Sequence, residues 1–178
     1  MSVFFLERKI KSSRIIKEVE PEVIEAWEKL KNVGGIVPKI NPEDLVFIGV
    51  RDTEESEDYV IANNSIYNVS VEYVRRNGVE KVSAEVLDYL KECDMLYLSF
   101  DVDSMDCDLV SYGTGTPVAN GITEQEASGL INHFLIDKRV GCFEVVEINP
   151  CLDNKQNKMA ETAFRILENA TSIIEKRG

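Results

Sequence analysis

The chain has 178 residues, with 32 Asp plus Glu against 20 Lys plus Arg, a formal net charge of −12 and one histidine. That length favours a single domain with a hydrophobic core of its own. The acidic excess argues against nucleic acid as a partner, and a lone histidine excludes a multi-histidine zinc site within the chain, so any chemistry rests mainly on carboxylates.

The first twenty residues carry little pattern. Pro21 then suits a first helical position, Val23, Ile24, Trp27 and Leu30 mark one helix face, and Gly34-Gly35 forms a stop. Leu45–Val50 is a short apolar run of the kind buried on both faces of a parallel sheet. A helix around Asp58–Asn63, a short strand at Ile66–Val69 and helices near Val71–Arg76 and Val79–Glu92 follow. Next comes a strand over Met95–Val102. Thr123, with Glu126 three residues on, forms a capping box for a helix whose apolar face is Ala127, Leu130, Ile131 and Phe134. Val140–Ile148 reads as a second buried strand, and Met159–Ile174 as a closing helix with Ala163, Leu167, Ala170 and Ile174 on one stripe. Strands alternating with helices predict an α/β layer structure with a mostly parallel sheet.

No run reaches the ~18 apolar residues of a membrane span, and the opening Met1–Lys9 turns to charge too soon for a secretory signal. Cys93, Cys107, Cys142 and Cys151 form no Cys-x-x-Cys pair. Three of them border apolar runs, which predicts buried, reduced thiols and a cytoplasmic setting.

In sheets of this type reactive groups gather beyond the carboxyl ends of the strands. Here each predicted strand end meets acid: Arg51-Asp52-Thr-Glu54 after Val50, Asp101-Val-Asp103 after Phe100, and Glu147 after Val146. Asp101 and Asp103, two apart, share one face of their strand. Two neighbouring carboxylates repel, and a divalent cation such as Mg²⁺, Ca²⁺ or Mn²⁺ removes the conflict; a solvated turn explains the spacing equally simply. Glu147, in an apolar strand, needs a cation, a metal or several donors; a ligand's guanidinium or ammonium would serve, as would a structural Arg. Asp52 and Glu54 follow Arg51, which suggests a surface salt bridge. Gly113-Thr-Gly-Thr116-Pro117 is a donor-rich loop without the lysine or spacing of a phosphate motif. His133 lies off the centre of its helix's apolar stripe, with no obvious catalytic partner.

Ser99-Phe-Asp101-Val-Asp103-Ser-Met-Asp106, then Gly113–Val118, then Glu144-Val-Val-Glu147-Ile-Asn-Pro150 resemble consecutive signature blocks of the arginase (ureohydrolase) family. Ile48–Glu54 resembles the loop by which arginases hold the substrate's amino-acid end, and Asn154–Ala163 the family's closing helix. The resemblance spans residues 20–178 and covers only the second half of such an enzyme. The family's His-containing blocks have no counterpart, and Met1–Val19 is atypical. The fold implied is an incomplete three-layer α/β/α arrangement, one partial arginase-like domain over residues 1–178.

The resemblance implies hydrolysis of L-arginine to ornithine and urea with two Mn²⁺ ions, which activate a bridging water for attack on the guanidinium carbon. Asp101 and Asp103 would be metal ligands. Glu147 would pair with the guanidinium, Thr116 would shape its pocket, and Asp52 and Glu54 would reach the α-amino group. Two of the family's six metal ligands are present, so the isolated chain is expected to be inactive and to bind Mn²⁺ weakly. A half-sheet leaves a bare edge, to be covered by residues 1–19, by a second copy or by a complementing N-terminal half; no membrane partner is expected. The alternatives are a non-catalytic binding or regulatory derivative of an arginase, and an agmatinase-like hydrolase of another guanidino compound. A phosphatase built on an Asp-x-Asp pair ranks last, since Met105 stands where such enzymes carry Thr or Val.

Overall fold

The computed structural model describes residues 19–177. The elements, in order, are α1 (Pro21–Lys31), β1 (Val46–Ile48), α2 (Glu55–Asn63), β2 (Tyr67–Val69), α3 (Val71–Asn77), α4 (Val79–Tyr89), β3 (Leu96–Asp101), α5 (Glu124–Ile136), β4 (Val140–Val146) and α6 (Lys158–Arg177). They fall into two compact units, one of residues up to 45 with 53–67, the other of 46–52 with 68–178.

In the first unit, Pro21 opens α1 at its first turn, and the helix closes at Lys31 ahead of a turn in which Gly34 takes φ 75°. A left-handed φ suits glycine because no Cβ meets the following carbonyl. The predicted apolar face is on the helix, but it is not buried: Val23, Ile24, Trp27 and Leu30 are all exposed. Glu54 caps α2 through a reciprocal capping box with Glu57, so the helix begins three residues earlier than its apolar residues suggest.

The second unit holds the core. β3 and β4 pair in parallel, Ser99 beside Glu144 and Asp101 beside Val146, and β1 pairs with β2 in a separate small sheet. α5 packs against both α4 and α6 and also reaches β4. Its capping box is formed as expected, with Thr123 Oγ1 accepting from Glu126 N–H and the Glu126 carboxylate accepting from Thr123 N–H. Its apolar face of Ala127, Leu130, Ile131 and Phe134 is buried. Two arginines close neighbouring helix ends. Arg139 donates to the carbonyls of Leu87 and Leu90 at the end of α4, and Arg177 to those of Leu135 and Asp137 at the end of α5. Both supply donors that the last turn of a helix lacks.

Three sequence expectations are corrected. β4 stops at Val146, not Ile148, because Glu147 adopts φ 64°, which ends the extended run. The stripe of α6 is only half as expected: Ala163 and Ala170 are buried with Met159 and Ile166, while Leu167 and Ile174 are exposed. The cysteines are thiols, but only Cys107 is buried; Cys142 and Cys151 are exposed. A bordering apolar run does not bury a thiol when its residue alternates onto an uncovered face. The expectation for residues 1–19 lies, apart from Val19, outside the described residues.

Leu135, wholly buried at the end of α5, tests this core. Leu135→Ala should destabilise the chain by about 2–5 kcal/mol, measured by urea denaturation, whereas the same change at the exposed Leu109 should cost far less.

Candidate functional site

Beyond β3 the chain enters a short 3-10 turn over Val102–Ser104. Asp101 caps it: its Oδ1 accepts from Asp103 N–H at 3.1 Å, and its carbonyl accepts from Ser104 Oγ at 2.6 Å. The turn makes the Asp-x-Asp pair a folded corner and not a fraying strand end. Asp103 is half-buried, and its carboxylate accepts from Thr116 Oγ1 at 2.6 Å. Burial and the nearby Asp101 push its pKa up, against the Thr116 hydrogen bond, which lowers it. The two acids expected to share chemistry are therefore adjacent, with Thr116 bonded to one of them.

Arg51 holds this corner. Its guanidinium donates to six main-chain carbonyls: Nε to Ala119, Nη1 to Gly49 and Ser104, and Nη2 to Asp103, Met105 and Val118, at 2.6–3.3 Å. Five N–H groups thus serve three segments, the end of β1, the acidic turn and the loop after Thr116. Gly121 makes room for the clasp, since a Cβ there would lie 2.6 Å from Arg51 Nη2 and overlap the backbone of Ser104 and Met105. The surface salt bridge expected of Arg51 is replaced by this main-chain clasp. Asp52, beside it, is exposed with φ 56°. Glu54 belongs to the other unit, where it caps α2.

The Gly113–Pro117 loop is anchored from the opposite side of the sequence. Asp153 accepts from Ser111 Oγ and Met159 N–H through Oδ2, both at 2.8 Å, and from Lys155 N–H through Oδ1 at 2.6 Å. A Cβ on Gly113 would lie 2.6 Å from Asp153 Oδ2 and from Met159 Cβ, so only glycine permits the approach. Asn149 N–H donates to the Gly113 carbonyl at 2.8 Å. Partial desolvation raises the Asp153 pKa, but the N–H groups of Met159 and Lys155 and the Ser111 hydroxyl outweigh it and hold the carboxyl below its usual range. Thr114, wholly buried in this loop, is the one described residue whose buried side-chain oxygen finds no partner.

Glu147 also reaches the loop. A Cβ on Gly115 would be 3.7 Å from its Oε2, which places this carboxylate next to the residue preceding Thr116. Glu147 is exposed and not enclosed in an apolar strand; the left-handed turn after β4 carries it out to the loop. A carboxylate here also makes the loop a poor cradle for an anion. His133 stays apart, its Nδ1 2.7 Å from the Gly129 carbonyl within α5.

Asp101, Asp103, Thr116 and Glu147 are thus gathered at the carboxyl ends of β3 and β4. Sequence reasoning missed Arg51 and Asp153 as the anchors, although the glycines at 113 and 121 were a visible signal of close backbone approach. As a metal centre the set is incomplete. Among the described residues no group of three His, Cys, Asp or Glu side chains converges to hold an ion, and both Asp carboxylates already accept hydrogen bonds within the corner. These residues do not fit a binuclear manganese site by themselves.

Parallel strands flanked by helices, with carboxylates at their ends, define the class by its architecture: part of an α/β domain. The model of the Arginase family matches residues 29–172. The arginase of Bacillus subtilis is 40% identical over 142 residues, 79% of this chain and 47% of the relative. Its solved structure superposes with a TM-score of 0.72 at 38% identity, over 80% of this chain and 49% of that one. The crystal structure of Helicobacter pylori arginase reaches a TM-score of 0.78 at 32% identity, covering 88% and 51%. The chain belongs to the arginase family, as an incomplete α/β arginase-like domain, and spans about half the length of the curated relatives it matches.

Two outcomes test this architecture. Arg51→Met leaves six carbonyls short of a donor and should cost about 2–4 kcal/mol, since hydrogen bonds to charged groups contribute ~1.5–3 kcal/mol and are not additive; thermal melts measure it. Asp153, with its folded pKa depressed, stabilises above its unfolded value of about 3.9 and loses that contribution as pH falls through the folded value. Asp153→Asn should therefore melt lower than the parent at pH 7, with the gap closing below about pH 4.

Proposed function

We propose that this chain is the carboxyl-terminal half of an arginase-type hydrolase, acting on the guanidinium of L-arginine to give ornithine and urea. Its residues 20–178 form one partial domain of that enzyme, in a cytoplasmic setting. The observation that carries the reading is the gathering of Asp103, Thr116 and Glu147 at the neighbouring carboxyl ends of β3 and β4, in a chain of this family. In this reading Asp101 and Asp103 contribute two ligands to a two-manganese centre, and the remaining ligands come from a segment this chain does not match. Glu147 pairs with the guanidinium, Thr116 shapes its pocket, and Asp52 and Glu54 bind the amino-acid end of the substrate. The isolated chain, with two carboxylates and no converging histidine, is inactive and holds Mn²⁺ weakly.

Exposure of Glu147 supports its part. A carboxylate that is exposed beside Gly115, with no arginine paired to it among the described residues, is available to a cationic ligand. Thr116, bonded to Asp103, links the acid corner to that position. The same shortage of ligands favours a second reading, a non-catalytic derivative that binds or regulates a full-length arginase. An agmatinase-like preference for another guanidino compound would change the amino-acid-end contacts only.

The test is urea release from arginine and Mn²⁺. The pure chain should give none, and addition of the N-terminal half of the Bacillus subtilis arginase should restore it. Asp103→Ala should then reduce the restored rate by at least ~10-fold, since even outer-shell changes at metal sites cost ~10–100-fold. Turnover by the pure chain would refute the two-part site, and no turnover in any mixture favours the non-catalytic reading.

A further inference from the structure

The sequence holds two Asn-Gly pairs, Asn77–Gly78 and Asn120–Gly121, and the fold holds them in opposite ways. Asparagine before glycine is chemically fragile. The glycine nitrogen, with no side chain beside it, can attack the asparagine Cγ and close a five-membered ring. The attack needs a glycine N–H that is not engaged elsewhere and a side-chain amide that is free to turn.

Both are denied at Asn77–Gly78, where α3 ends. Asn77 Nδ2 donates to the Tyr73 carbonyl at 3.0 Å, and its Oδ1 accepts from Lys81 Nζ at 2.8 Å. The Gly78 N–H donates to the Val74 carbonyl at 2.8 Å. Asn120 is different: it is exposed, at φ 61°, a left-handed conformation that asparagine adopts more readily than most residues. Among the described residues no hydrogen bond engages its amide or the Gly121 N–H.

The backbone on either side of this pair is fixed. Arg51 holds the carbonyls of Val118 and Ala119, at 2.6 and 3.1 Å. Arg75 Nη2 donates to the Gly121 carbonyl at 2.7 Å, and Ile122 N–H donates to the Ser104 carbonyl at 3.0 Å. Gly121 is buried, and a Cβ there would lie 2.4 Å from the Met105 carbonyl carbon and 2.5 Å from the Ser104 oxygen. There is no slack for one more backbone atom.

We propose that Asn120–Gly121 is a deamidation site whose reaction unlocks the Arg51 clasp. The Gly121 nitrogen bonds to Asn120 Cγ, the Cγ–Nδ2 bond breaks, and Nδ2 leaves as ammonia with the Gly121 N–H proton. Water then opens the succinimide at one of its two carbonyls, its hydroxyl staying on that carbon and its hydrogen returning to the nitrogen. The product is an aspartyl or an isoaspartyl residue. The isoaspartyl form routes the main chain through Cβ and Cγ, one carbon longer than before. Carbonyls fixed by Arg51 and Arg75 cannot absorb that length, so part of the clasp is lost. Because Arg51 also holds the Asp103 carbonyl, the acid corner loosens although none of its side chains has reacted.

Peptide mass mapping of the full chain, incubated folded in mildly alkaline buffer, tests the site. Position 120 should convert at least ~10-fold faster than position 77, the ratio expected when three hydrogen bonds must open before the slower pair can react. In urea, where neither pair is held, the two rates should be alike. The deamidated chain, isolated by ion exchange, should melt below the parent in proportion to its isoaspartyl content. Asn120→Asp, which has the charge without the added atom, should melt with the parent. The loss should shrink in Arg51→Met, where the clasp is already gone, or in Arg75→Gln should that variant fail to fold. Position 77 keeping pace with position 120 in the folded chain overturns the site, as does a folded chain in which neither reacts. A deamidated chain that melts with the parent, or an Asn120→Asp chain that melts as low as the deamidated one, overturns the unlocking.

Discussion

The acidic corner depends on one guanidinium. A chain that leaves a strand and immediately turns exposes carbonyls that no helix or sheet ladder satisfies, and here three such segments meet. Arg51 donates to six of those carbonyls, and its charge is spent on backbone dipoles and not on a carboxylate. That choice has a consequence for the site. An arginine paired with Asp101 or Asp103 would neutralise the acids; one bonded only to carbonyls fixes their backbone and leaves the carboxylates to other ligands.

Asp153 mirrors this arrangement with the opposite sign. Where Arg51 collects carbonyls, Asp153 collects donors, from Ser111, Lys155 and Met159. Between them they tie the ends of the Gly113–Pro117 loop and the start of α6 to the strand ends. Both require glycine as the neighbour, Gly121 for the arginine and Gly113 for the aspartate, because a Cβ would occupy the space of the ionic group. The two charges hold backbone, and among the described residues no ion pair engages the remaining polar side chains of the corner, Asp103, Thr116 and Glu147.

Local signals were the most legible part of the chain. The Thr123–Glu126 box and the face of α5 could be read directly because capping and 3.6-residue periodicity involve neighbours only a few positions apart. So could the pairing of Asp101 with Asp103. What failed depended on distant covering. Val23, Ile24, Trp27 and Leu30 have helical spacing, but periodicity records a face suited to burial and not whether anything lies over it. The same blindness made Cys142 look buried. Glu147 was placed inside a strand because its neighbours are apolar, whereas a single left-handed residue ends the strand and turns it outward. Arg51 was misread because its acidic neighbours in sequence suggest a salt bridge, and its actual partners lie more than fifty residues away or are backbone.

Among the described residues, the uncovered faces and the incomplete acid set belong together. In a parallel α/β fold the side chains of a site are carried on the same strand ends that the covering elements connect, and this chain spans about half the length of the relatives it matches. Exposed Tyr97 and Asp101 lie on one face of one strand, two alternations apart. Whatever covers the first necessarily approaches the second.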